Sequence, residues 1–99
     1  MDPVLVKALS LSKQVASEYT HIEDIDDLIL GRYIRWVYTD DLKKLYAGGI
    51  LLSVDPKTQL LLCKNRGRFF SISFEVAIVL QKMSLDERII RQARLLARS

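Results

Sequence analysis

The chain has 99 residues, 49 % of them apolar and 27 % charged, with a net charge of +3 at neutral pH. That length suits one domain with a modest core, and the composition excludes a disordered segment, which is too polar and too charged to bury a core. The longest apolar run, Val76 to Leu80, falls far short of the roughly 20 residues that span a bilayer, so no membrane association is expected.

Charge is unevenly placed. Met1 to Leu30 carries two basic and six acidic residues (net −4), and Gly31 to Ser99 thirteen basic and six acidic (net +7). The single cysteine, Cys63, cannot form an internal disulfide, and Met1-Asp2-Pro3 does not open a secretory signal. Both suit a reducing, intracellular compartment.

Asp2 and Pro3 make a good helix start. Val4, Leu5, Ala8, Leu9, Ser12, Val15, Ala16 and Tyr19 follow at three- and four-residue steps, predicting one amphipathic helix to about Tyr19. Thr20 to Asp27 reads as an acidic loop or a short helical turn, and Leu28, Ile29 and Leu30 return the chain to the core. Arg32 to Tyr38 alternates as a strand, with Ile34, Trp36 and Tyr38 on one face. Thr39 to Leu45 reads as a polar connection, and Gly48-Gly49 as a turn or bulge leading into a strand over Ile50 to Val54.

Asp55-Pro56-Lys57-Thr58 has turn chemistry that predicts a hairpin return through Gln59 to Lys64. Asn65-Arg66-Gly67 makes the next turn, and Phe70, Ile72 and Phe74 share a face of the strand that follows. Val76 to Leu80 reads as a last strand buried on both sides. Ser84-Leu85-Asp86-Glu87 has capping-box spacing, and Leu85, Ile89, Ala93 and Leu96 continue as a helical stripe to about Arg98. The expected fold is α+β: an N-terminal helix, a small curled antiparallel sheet or SH3-like barrel of four to five strands, and a C-terminal helix.

A metal centre needs three or four converging ligands, and one His and one Cys more than forty residues apart do not supply them. Glu23, Asp24, Asp26 and Asp27 lack the ladder of a calcium loop, and Gly48-Gly49 lacks the glycines and lysine of a phosphate loop. Cys63, in an apolar strand, reads as a core residue. No catalytic, metal or cofactor site is predicted.

The basic residues carry the one suggestive pattern. Arg88, Arg91, Arg94 and Arg98 fall within about a third of a helix circumference, opposite much of the apolar stripe, and Arg32, Arg35, Lys64, Arg66 and Arg68 add to the field. Such a set suits DNA binding through phosphates, although the polar face of any amphipathic helix would look alike. Tyr33 and Phe69 are candidate stacking aromatics. Trp36, Tyr38 and Tyr46 are candidates to line a peptide groove for a host protein. The generous apolar content points to a homodimer using the first or last helix.

Gly31-Arg32-Tyr33-Ile34-Arg35-Trp36, Gly48-Gly49-Ile50, Cys63-Lys64-Asn65, Arg68-Phe69-Phe70 and Gln81-Lys82-Met83 together resemble a set of small proteins of nucleocytoplasmic large DNA viruses, most like the marseillevirus members. The resemblance covers Gly31 to Met83. It implies a viral structural or accessory protein located in the virion or in the virus factory of the host cytoplasm, and it carries no catalytic role onto any matched position.

Overall fold

The computed structural model describes residues 1–97. In chain order it contains α1 (Pro3–Ala8), α2 (Lys13–Glu18), β1 (Tyr19–Ile22), β2 (Tyr33–Tyr38), β3 (Asp41–Leu45), β4 (Gly49–Asp55), β5 (Leu60–Asn65), β6 (Arg68–Ser73), β7 (Ala77–Lys82) and α3 (Leu85–Ala97), with 3-10 turns over Ile25–Asp27 and Phe74–Val76. The α+β class is as expected, and the sheet is the curled antiparallel one.

The predicted first helix is two helices. The Asp2 carboxylate accepts from the Val4 amide at 2.8 Å, capping α1 as its residue type requires. At the other end Ser10 takes φ +53, the Leu11 amide donates to the Val6 carbonyl and the Ser10 amide to that of Lys7. This is the six-to-one and five-to-two pattern of a Schellman stop, made here with Ser where Gly is usual. Ser12 then caps α2 through the Val15 amide, and the periodic stripe hides the break between them.

The sheet has seven strands, in the order β1-β7-β2-β4-β5-β6 with β3 also on β2, two more than expected. Both additions come from segments read as connections. Tyr19 to Ile22 pairs with Lys82 to Val79, and Asp41 and Leu45 pair with Tyr38 and Val37. Of Leu28, Ile29 and Leu30 only Leu28 packs against the core, the other two being exposed.

The hairpin predicted from Asp55-Pro56-Lys57-Thr58 is present, with Asp55 opposite Leu60. The Asp55 carboxylate accepts from the Lys57 amide at 3.0 Å. The Thr58 side chain and this amide hold its carboxyl below the usual aspartate value. Leu52 is an extra residue, so the register shifts between Leu51 and Ser53 and the strand bends there.

One face of the sheet encloses the main core: Ile25, Ile34, Trp36, Leu51, Leu61, Cys63, Ile72 and Val79. Phe70 and Phe74 join it from the same side, as their alternation with Ile72 predicts. On the opposite face α2 and the residues flanking α1 cover β1, β7 and β2, packing Val15, Tyr19 and Leu80 with Met1, Leu11 and Tyr33. β7 is therefore covered on both sides as its sequence suggests, but it runs Ala77–Lys82, and Val76, expected to begin it, lies exposed in the 3-10 turn before it. Inside β7, Gln81 is 2 % exposed, and its Oε1 accepts from the Ile29 amide at 2.8 Å, which removes the cost of burying that carbonyl.

Gly48 and Gly49 mark where β4 crosses β2, rather than a free turn. A Cβ on Gly48, at φ +89, would lie 1.9 Å from the Ile34 carbonyl oxygen, and one on Gly49 2.7 Å from that of Lys64. Gly67, at φ +79, has nothing within 4 Å of such a Cβ. Gly48→Ala is accordingly expected to cost about 3 kcal/mol or more, since backbone must move. Gly67→Ala meets only the left-handed penalty of about 1–2 kcal/mol. Denaturant melts of both variants check the difference.

Candidate functional site

α3 begins with the predicted cap: the Glu87 amide donates to Ser84 Oγ at 3.2 Å. The Glu87 carboxylate does not complete the box but meets Arg32 Nη1 at 2.6 Å, tying the helix to the start of β2. Arg88 lies 3.9 Å from the Glu18 carboxylate. Arg91 reaches furthest, donating from Nη1 to the Ala16 carbonyl at 3.0 Å and from Nη2 to that of Tyr19 at 3.3 Å.

Those two carbonyls close the C-terminal end of α2. They lack intrahelical partners, and the helix dipole leaves negative potential there. A guanidinium answers both needs, with two donors and a positive charge. Burial depresses the pKa of Arg91. Burial, followed by the charge of Arg91, lowers that of the Met1 amino group beside it.

At 3.6 residues per turn, Glu87, Arg88 and Arg91 leave one side of α3 and Leu85, Ile89 and Leu96 the other. The charged side is turned toward the body, so the apolar side faces solvent. Leu85 is 67 %, Ile89 58 %, Ile90 51 % and Leu96 71 % exposed, and no residue of α3 is buried. Arg88 and Arg91, read from the sequence as part of a solvated arginine face, are thus turned toward the body. Periodicity reports that a helix has two faces, and the ions of Glu18, Arg32 and the end of α2 decide which one turns inward. The stripe residues Leu85, Ile89 and Leu96 themselves form one wall of a groove of about 600 Å³, with Met1, Ala16 and Ser17 on the other.

Of the nine predicted basic residues, the eight that are described are divided among different parts of the fold. Arg32, Arg88 and Arg91 hold α3 to the body. Arg35, half-buried, donates from Nε to the Tyr46 carbonyl at 3.2 Å. Arg94 is exposed on α3, and Arg98 lies outside the described residues. Lys64, Arg66 and Arg68 gather at the β5–β6 hairpin and are exposed, with Lys64 Nζ 5.2 Å from the centroid of the Phe69 ring. Tyr33 is not a free stacking platform, since its ring packs in the second core cluster and its hydroxyl donates to the Ala47 carbonyl.

Two further features stand outside α3. On the face that α1 and α2 leave bare, Ile50, Leu52, Leu60, Leu62 and Phe69 are exposed. Their strands have apolar residues on both faces, which reads as full burial. The other feature is a pocket of about 560 Å³ between the β2–β3 turn and Val76, lined by Tyr38, Thr39, Asp40, Asp41 and Tyr46. Of the three aromatics expected to line a groove, Trp36 is 6 % exposed and belongs to the core, whereas Tyr38 and Tyr46 line this pocket.

Burial pushes the Cys63 thiol up to about 11, so at neutral pH it is a protonated core group and a poor nucleophile. His21 Nδ1 lies 3.8 Å from the Glu23 carboxylate. Among the described residues no three His, Cys, Asp or Glu side chains converge as a metal site would require. No protein-family model matches the chain, and no curated protein or solved structure matches it.

Arg91→Gln removes the fork that closes α2 and anchors α3. Discounted for partial exposure, the loss is expected to be about 1–2 kcal/mol, seen as faster amide exchange through α2 and α3 while the β2–β7 pair keeps its protection.

Proposed function

We propose that the protein is a non-enzymatic structural or accessory protein that acts as a homodimer built on α3, of the kind a large DNA virus carries in its virion or uses in its factory. The observation that supports this most is the outward apolar face of α3. A helix held to its own domain by its charged side leaves its apolar side for another surface. Four Leu and Ile side chains from each of two copies, already partly shielded, supply on the order of 10 kcal/mol on burial. That is comparable to the roughly 4–15 kcal/mol cost of association, and groove contacts add to it.

The helix dipole favours a second, antiparallel copy over an unrelated apolar surface. Asp86 lies in the first turn of α3, beside the stripe, and Arg94 in its last turn, on the side of the helix away from the stripe. An antiparallel, two-fold pair of these helices opposes their dipoles. A lipid surface would instead want the arginines beside the apolar stripe and free to meet headgroups, but Arg88 and Arg91 point into the protein. Among the described residues no helix is long and apolar enough to cross a membrane. The resemblance to virus-encoded proteins over Gly31 to Met83 supports the viral setting.

Ile89→Glu tests the dimer without touching the core. Wild-type protein is expected to show twice the chain mass by light scattering at roughly 10–100 µM, and the variant the single-chain mass with an unchanged circular dichroism spectrum. A wild-type monomer throughout that range overturns the proposal.

A second reading, phosphate-directed DNA binding, is favoured by the hairpin rather than by α3. No acidic residue occurs between Asp55 and Glu75, a stretch that includes Lys57, Lys64, Arg66 and Arg68, and Phe69 beside them is 63 % exposed. Three phosphate contacts predict a log–log salt slope of about −2.7. Changing Lys64, Arg66 and Arg68 to Glu is expected to abolish binding to a mixed-sequence duplex, and wild-type protein that ignores DNA at low salt removes this reading.

A further inference from the structure

Tyr38 and Tyr46 meet with ring centroids 5.2 Å apart and planes at 77°, giving the pocket at the β2–β3 turn two nearly perpendicular aromatic walls. The walls are held in place. Tyr46 stacks on Trp36 at 5.4 Å and 4°, its amide donates to the Trp36 carbonyl at 2.9 Å, and its own carbonyl accepts from Arg35. Across the pocket Thr39 is fixed by its amide and hydroxyl, both donating to the Val76 carbonyl. The remaining lining groups are the carboxylates of Asp40 and Asp41.

Perpendicular aromatic faces with a carboxylate nearby suit a cation that carries methyl or methylene groups, because the ring quadrupole attracts the charge and the ring surface accepts the alkyl groups. The chain already places one cation at these rings: Lys44 Nζ lies 4.7 Å from the Tyr46 ring centroid. We propose that this pocket binds an alkylammonium side chain of a partner polypeptide, a methylated lysine, and that Lys44 is the internal competitor the ligand displaces. A methylated ammonium is favoured over a plain one because losing its weaker hydration costs less. A polypeptide is favoured over a choline headgroup because the phosphate of the headgroup would be brought up against Asp40 and Asp41. This inference stands apart from the dimer, since it uses no residue of α3.

Aromatic-ring NMR of the full chain tests it, with a trimethyl-lysine peptide, the same peptide bearing unmodified lysine, and phosphocholine as probes. Saturable shifts of the Tyr38 and Tyr46 rings are expected with the methylated peptide, about fivefold weaker with the unmodified one. Lys44→Ala is expected to tighten binding roughly threefold or more, and Asp40→Asn with Asp41→Asn to weaken it by a similar factor. All three positions are exposed, so these variants keep the core that Tyr46→Ala would disturb. Absence of ring shifts in both the wild type and Lys44→Ala overturns the proposal, as does phosphocholine binding as tightly as the methylated peptide.

Discussion

The β2–β7 ladder, Ile34 to Tyr38 against Gln81 to Ala77, is the element on which the rest of the molecule hangs. It is buried on both faces: Ile34, Trp36 and Val79 point into the main core, and Val37 and Leu80 to the other side. A pair of strands so covered cannot slip by one residue without exchanging its inner and outer sets. Every other element takes its position from it. β1 adds to the free edge of β7, β3 and β4 share the far edge of β2, and the outer face dictates where α1 and α2 lie.

The sharing of one β2 edge by two strands explains the glycines. β3 occupies the C-terminal part of that edge and β4 the N-terminal part, so the chain passes between them hard against β2. Gly48 and Gly49 allow backbone to approach backbone where any side chain would collide. The bulge at Leu52 then bends β4 so that β5 and β6 can curl over the inner core. The outer face of β4, β5 and β6 is left bare, because two six-residue helices are too short to cover seven strands.

α3 follows the opposite logic to α1 and α2. Its neighbours present a carboxylate on Glu18, a guanidinium on Arg32 and the open carbonyls of α2, all polar, so the charged side of α3 satisfies them and the apolar side is displaced outward. Burying that stripe against those carbonyls would strand polar groups at about 1–3 kcal/mol each. The same preference gives the protein its exposed apolar surface and uses Arg88 and Arg91, which linear sequence offers as ligand-binding groups. The tyrosine pocket arises separately, where the turn after β2 brings Asp40 and Asp41 beside rings that Trp36 holds in place.

Much of this was legible in residue order, because the signals are local. Alternation in Tyr33 to Tyr38, the Asp55-Pro56 turn and the caps at Asp2 and Ser84 depend on interactions within a few residues. So does the shared face of Phe70, Ile72 and Phe74. The helix break at Ser10 was not, because a left-handed Ser leaves no mark in a hydrophobic pattern, nor were β1 and β3, whose polar residues become strands only by pairing with β7 and β2. The direction in which α3 faces was decided by tertiary structure alone. A sequence states which residues share a side of a helix, but whether that side turns in or out depends on backbone carbonyls 72 and 75 positions away at Tyr19 and Ala16, which only the folded chain brings within reach of Arg91.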